Sequence, residues 1–186
     1  MNPRNTLGYT RIAIGLHWIA AVLIIVNLAF GVYMVDLTLS PAKLRYYSWH
    51  KWTGVTIFLL SALRLTWRLF HSAPAPPSSM AAWQRTAANA SHHVFYLLFF
   101  FVPLTGWLFS SAAGFQTVVF EVAPLPDLLS KNKEVADVLQ FVHRGATYAL
   151  AAMVVLHAAA AIKHHLVDRD EVLSRMLPFL KPGLDR

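Results

Sequence analysis

Four apolar runs, at about residues 12–35, 50–70, 91–111 and 138–165, dominate this chain, and each is close to the ~20 residues that an α-helix needs to cross a bilayer. Such a chain has few folds open to it. Hydrocarbon supplies no water to satisfy backbone N–H and C=O groups, so only internally bonded helices or a closed barrel survive there. None of the runs alternates with period two, which argues against the barrel. The expected fold is an all-α membrane protein, a four-transmembrane-helix up-down bundle forming one domain over residues 1–186. The composition fits that class, with 56% hydrophobic residues and only 13% charged ones.

The first run resembles a signal peptide in having Arg4 and Arg11 before it, but it is long, His17 and Trp18 interrupt its start, and no small-residue cleavage site follows. It is expected to be a retained span. On the side of the bundle that holds both termini, ten bases (Arg4, Arg11, Arg64, Arg68, Arg85, Lys163, Arg169, Arg175, Lys181, Arg186) face four acids (Asp168, Asp170, Glu171, Asp185). The other side balances Lys43, Arg45, Lys51, Lys131, Lys133 and Arg144 against Asp36, Glu121, Asp127, Glu134 and Asp137. This asymmetry is expected to place both termini in the cytoplasm. The net charge of +7 has no soluble basic domain to carry it, so nucleic acid is not an expected partner; membrane lipid is.

The connections carry their own signals. The first, 36–49, is short. In the second, 71–90, Pro74, Pro76 and Pro77 stop a helix, Ser78 and Ser79 are placed to cap a short interfacial one, and Trp83 belongs at headgroup level. The third, 112–137, is the longest; Pro124 and Pro126 break it, and helix is expected to resume over 133–139. In the tail, Val172, Leu173, Met176 and Leu177 share a helical face, which predicts a short amphipathic helix on the membrane surface.

Within the spans one interval recurs. His143 and His157 are fourteen residues apart, and fourteen residues of α-helix turn through about 1,400°, close to four full turns, while rising about 21 Å. The same step relates His17 to Gly31, His50 to Arg64 and His92 to Gly106. Because alternate spans run in opposite directions, these residues fall into two layers. One, cytoplasmic, holds His17, Arg64, His92 and His157; the other, periplasmic, holds Gly31, His50, Gly106 and His143.

Ionisable side chains at such depth are costly and by default functional. Two stacked flat cofactors would require this pattern, with axial nitrogens from facing helices and glycines where a macrocycle approaches backbone. Gly31, Gly54 and Gly106 are the expected clearances, and Arg64 with Arg68 the expected partners of haem propionates. The spans contain no Asp or Glu to neutralise a bare metal ion, whereas neutral bis-imidazole ligation suits haem iron. Depth pairs His50 with His143. Of the three histidines in the cytoplasmic layer, His92 lies nearest water, which leaves His17 and His157 as the iron ligands there. The chain has no cysteine, so iron–sulfur ligation and covalent haem attachment are excluded and any haem is held non-covalently.

These residues resemble the bacterial cytochrome b561 family. The likeness rests on Gly15-Leu16-His17-Trp18, on His50-x-x-x-Gly54 continuing to Arg64-x-x-x-Arg68, on His92-x-x-x-Tyr96 leading to Pro103-x-x-Gly106, and on Leu156-His157-Ala-Ala-Ala-Ala-x-x-His164-His165. It covers about residues 11–178. The resemblance implies a cytochrome with two b haems, ligated by His17 with His157 and by His50 with His143, exchanging electrons with the quinone pool. It further implies a superoxide:ubiquinone oxidoreductase, taking electrons from periplasmic superoxide. Members with this skeleton also serve as b-type subunits that relay electrons between a periplasmic dehydrogenase or hydrogenase and quinone, so a redox partner protein is the alternative. His93 and Phe99-Phe100-Phe101 depart from the motif positions. If superoxide is the donor, Lys51 and Arg144, next in sequence to the periplasmic ligands, are the expected steering charges, with Lys43, Arg45, Lys131 and Lys133 widening the field. At the opposite end His92, His164 and Lys163 are the expected quinone and proton contacts.

Overall fold

The computed structural model describes residues 8–180, so Arg4, Lys181, Asp185 and Arg186 of the charge argument lie outside the described residues. Four long helices run alternately up and down: α1 (Arg11–Val35), α2 (Pro41–Phe70), α3 (Ala82–Ala113) and α4 (Lys133–Lys163). All four are long and apolar enough to cross a membrane. The chain is a multi-pass membrane protein. The end of the bundle where α1 begins and α4 ends is called the tail side below, and the opposite end the loop side.

The helices begin where the sequence supplies caps, outside the apolar runs themselves. Thr10 accepts the Ala13 N–H (3.2 Å) at the start of α1, and Ser40 accepts the Lys43 N–H (3.2 Å) ahead of Pro41 in α2. A proline in the first turn gives up only an N–H that has no helical partner. Asn132 accepts the Val135 N–H (3.1 Å) at the start of α4, which confirms helix from 133 onward. At its far end α3 stops on Gly114, at φ 80°, whose left-handed conformation lets the Gly114 and Phe115 N–H groups bond back to Ser111 and Ser110 (both 2.9 Å).

Two expectations for the connections fail here. No separate interfacial helix precedes Trp83: a turn closed by the Met80 N–H on the Pro77 carbonyl leads directly into α3, and the Gln84 side chain accepts the Ala81 N–H (2.9 Å). The tail after Asp168 is a run of turns, not a regular amphipathic helix. Its cause is local, because Asp170 turns its carboxylate on the Val172 N–H (2.9 Å) and on His164, competing with helical bonding. The long connection also holds a short hairpin, β1 (Val118–Val119) against antiparallel β2 (Ala123–Pro124). Its turn residues Phe120 and Glu121 both have positive φ, 50° and 64°.

Packing is uneven. α1 lies closely along α2 and α3 along α4, whereas α1 and α4 scarcely touch. The core is a mid-membrane layer of Ala20, Ile24, Ile57, Phe95, Leu98, Phe99 and Leu150. Outside it, residues such as Val22, Val26, Leu59, Leu97 and Val155 are exposed, as lipid-facing side chains of a bundle must be. The core therefore divides the bundle into a loop-side and a tail-side level, called the two chambers below, and the intramembrane histidines lie at those levels.

Candidate functional site: two histidine layers

On the loop side, His50 from α2 and His143 from α4 face one another with ring centroids 6.3 Å apart. The tautomer of His143 follows from its neighbours. Its Nδ1 lies 3.0 Å from the Val102 carbonyl, which can only accept, so Nδ1 carries the proton and Nε2 keeps its lone pair. Thr105 sits beside the same nitrogen (3.3 Å) and donates its own hydroxyl to Val102 (2.9 Å). The ring is thereby held from α3, one residue before Pro103 interrupts that helix's hydrogen bonding.

The glycines have two different roles. A Cβ at Gly106 would stand 2.9 Å from Cε1 of His143, and one at Gly31 would stand 3.1 Å from Cε1 of His50. These glycines make room for the imidazoles themselves, a neighbour that spacing alone did not reveal. Gly54 is the exception: no protein atom lies within 4 Å of the position a Cβ would take, so it borders open space.

On the tail side, His157 is central. Its ring centroid is 6.2 Å from that of His17 and also 6.2 Å from that of His92, with Phe95 edge-on at 5.3 Å. Arg64 is half-buried, and no hydrogen bond or ion pair to a described residue holds it; Arg68, one turn further out, is exposed. A partly desolvated guanidinium without a carboxylate calls for an anionic partner.

Haem was expected at these layers, and the residues fit it. Ring centroids 6.3 Å apart on the loop side and 6.2 Å apart on the tail side leave room for one metal ion that both imidazoles would hold by bonds of about 2 Å. The Nδ1 atoms of His17 and His50 are buried with no hydrogen-bond partner among the described residues, so each ring is a polar group inside the bundle in search of one.

The flanking charges are engaged. Lys51 donates to the Phe115 carbonyl (3.0 Å) and Trp52 to the Val118 carbonyl (2.6 Å), so the two residues that follow His50 fasten the long connection onto α2. Arg144 is exposed and lies over Tyr148, 5.8 Å from its ring centre. Lys43 is consumed in capping α1, donating to the Val35 (2.9 Å) and Leu37 (2.5 Å) carbonyls, and Lys133 pairs with Asp137 (2.6 Å). On the tail side His164 is half-buried and meets Asp170 (2.6 Å) and Asp168 (3.1 Å), while Lys163 pairs with Asp168. Sequence reasoning passed over Asp170, Thr105 and the hairpin. The seven-residue recurrence of His143, buried Leu150, His157 and His164 marks the histidine that Asp170 holds, but not Asp170 itself.

Paired imidazoles stacked across the apolar thickness of a four-helix bundle define a membrane haem protein that carries electrons. The chain belongs to the prokaryotic cytochrome b561 family, whose family model matches residues 8–179. It is 31% identical to Cytochrome b561 homolog 2 of Escherichia coli (strain K12), over 91% of this chain and 90% of that protein. It is also 29% identical to a Probable superoxide oxidase CybB of Yersinia pestis (91% and 96% covered) and 27% identical to a Cytochrome b562 of Cereibacter sphaeroides (91% and 95%). Members of the family bind b-type haem and transfer electrons in the membrane.

Proposed function

We propose that this protein carries two b haems and moves electrons from periplasmic superoxide to ubiquinone, with its loop side in the periplasm and its tail side in the cytoplasm of the inner membrane. The observation that carries this reading is the pair of histidine couples at metal-bridging spacing, one in each chamber. His50 and His143 hold the periplasmic haem, His17 and His157 the cytoplasmic one. Gly54 gives the macrocycle clearance, and Arg64 with Arg68 neutralises propionates. His92, left without an iron, and His164 contact quinone. Bound haem supplies a reversible one-electron centre. The protein's part is to fix the imidazoles, keep water out of the apolar layer between them, and bring charge to each mouth.

The periplasmic donor is read from two supports, a relative named as a probable superoxide oxidase and the cations beside the periplasmic ligands. Lys51 keeps its positive charge while bonded to Phe115, and Arg144 adds an exposed one. Such charges raise the encounter rate of a small anion. The test is to purify the protein, count its haems per chain from the reduced b-type spectrum, and mix it with superoxide with and without ubiquinone. Two haems per chain, reduced by superoxide and reoxidised by ubiquinone, are expected. A single haem, or indifference to superoxide together with obligate co-purification of a large redox subunit, overturns the reading in favour of a relay subunit.

A further inference from the structure

The last turn of α4 is not an ordinary helix end. It passes into one π-helical turn, His164–Asp168, closed by Arg169 in the left-handed conformation at φ 52°. A bulky residue there is an outlier that the surroundings must enforce, and π turns are frequent at functional sites. Here the result is specific. The chain doubles back, the Asp170 N–H bonds to the His164 carbonyl (3.1 Å), and the Asp170 carboxylate reaches His164 Nδ1 at 2.6 Å. Asp170 is only 8% exposed, and its other oxygen accepts the Val172 N–H (2.9 Å).

The returning tail is itself anchored. Trp18, next to His17, donates its indole N–H to the Met176 carbonyl (2.8 Å), and Arg175 donates to the Ala75 carbonyl (2.5 Å) between α2 and α3. His164 lies seven residues beyond His157, nearly two full turns, on the same face of α4. Its Nε2 has no partner among the described residues, whereas Nδ1 is committed to carboxylates.

We propose that Asp170 is the positioning residue of a proton donor: it holds His164 by Nδ1–H and leaves Nε2–H as the group that protonates a quinone bound at the tail side. This deepens, and rests on, the quinone site proposed above. In each of two steps the quinone gains one electron from the reduced protein, an Nε2–H bond of His164 breaks, and an O–H bond forms on a quinone carbonyl oxygen. Asp170 stabilises the imidazolium before transfer and keeps the neutral ring in its Nδ1–H tautomer afterwards, the part an aspartate takes beside a catalytic histidine. The exposed Lys163–Asp168 pair, in contact with the same ring, joins it to water for reprotonation. Two electrons and two protons convert quinone to quinol.

The experiment is the reoxidation of chemically reduced holoprotein by a short-chain ubiquinone and, separately, by ferricyanide, a one-electron acceptor that takes up no proton. With haem spectra unchanged, Asp170→Asn is expected to lower the limiting rate with quinone about tenfold to a hundredfold, as loss of an orienting partner does. The half-saturating quinone concentration should stay within about twofold and the ferricyanide rate should not move, because proton donation enters neither. Asp170→Glu should recover the quinone rate, and nitrogen NMR of histidine-labelled protein should show an Nδ1–H ring that is absent from His164→Gln and altered in Asp170→Asn. Equal slowing with both acceptors, or an unchanged quinone rate in Asp170→Asn while His164→Gln is slow, overturns the proposal. If His164→Gln itself reduces quinone normally, the quinone site is what fails. Should Asp170→Asn lose haem, Asp170→Glu is read instead: recovery supports the assignment, and a loss as deep as that of His164→Gln overturns it.

Discussion

The two chambers are built on opposite plans. The loop-side layer has two histidines and two glycines, and each glycine is filled by an imidazole ring. The tail-side layer has three histidines and an arginine, with no glycine among them. One is a socket in which geometry allows a single pair of rings. The other carries more polar side chains than one bis-imidazole site would use, and the proposed function assigns the surplus to quinone. The difference teaches that a symmetric interval can place unlike sets of side chains at its two ends, as the proposed function requires of a single-electron end and a proton-coupled one.

The comparison is broken most directly at the ligands. His50→Ala or His143→Ala should remove one haem and spare the other, read as half the haem per chain, and His17→Ala or His157→Ala should do the converse. Loss of both haems from one of these variants would mean the chambers are not independent. If His92→Ala rather than His17→Ala empties the tail-side site, the surplus histidine is His17, which the equal 6.2 Å spacings make a fair contest.

The next effect belongs to the socket. Gly106→Ala drives a methyl group to 2.9 Å from His143 and should cost about 1–3 kcal/mol, the scale of overpacking. Gly31→Ala, at 3.1 Å, should cost less, and both should shift the loop-side haem spectrum alone. Gly54→Ala meets no protein atom, so it should leave the thermal stability of haem-free protein unchanged and lower only haem retention. The smallest effect is electrostatic. Lys51→Gln should slow superoxide oxidation about twofold to threefold and flatten its salt dependence, with haem content unchanged.

Much of this was legible in sequence, and the reasons are physical. Helical periodicity turns the fourteen-residue step into a placement, so His17, His50, His143 and His157 could be layered without coordinates. Hydrophobic windows, however, end where polarity begins, and helices do not. α2 starts nine residues before its apolar run because Ser40 and Pro41 supply a cap and a first turn. Gly31 and Gly106 were found for a reason only half right, since spacing gives a position but not the neighbour that fills it. The hairpin escaped notice because Phe120 and Glu121 occupy turn positions usually taken by Asn-Gly. The tail misled because an amphipathic pattern says nothing of a carboxylate that will turn back on the backbone.

The close packing of α1 on α2 and of α3 on α4, with α1 and α4 scarcely touching, has a consequence for biogenesis. Each hairpin can enter the bilayer as a unit, but neither contains a complete iron site: His17 and His50 lie in the first, His143 and His157 in the second. The seam between the halves is the packing of α2 on α3, as in Phe58 against Phe100, and a cofactor held by both hairpins would tighten it. Variants that weaken haem binding should therefore loosen the seam between the hairpins and be degraded faster, read as a lower steady-state level in the membrane.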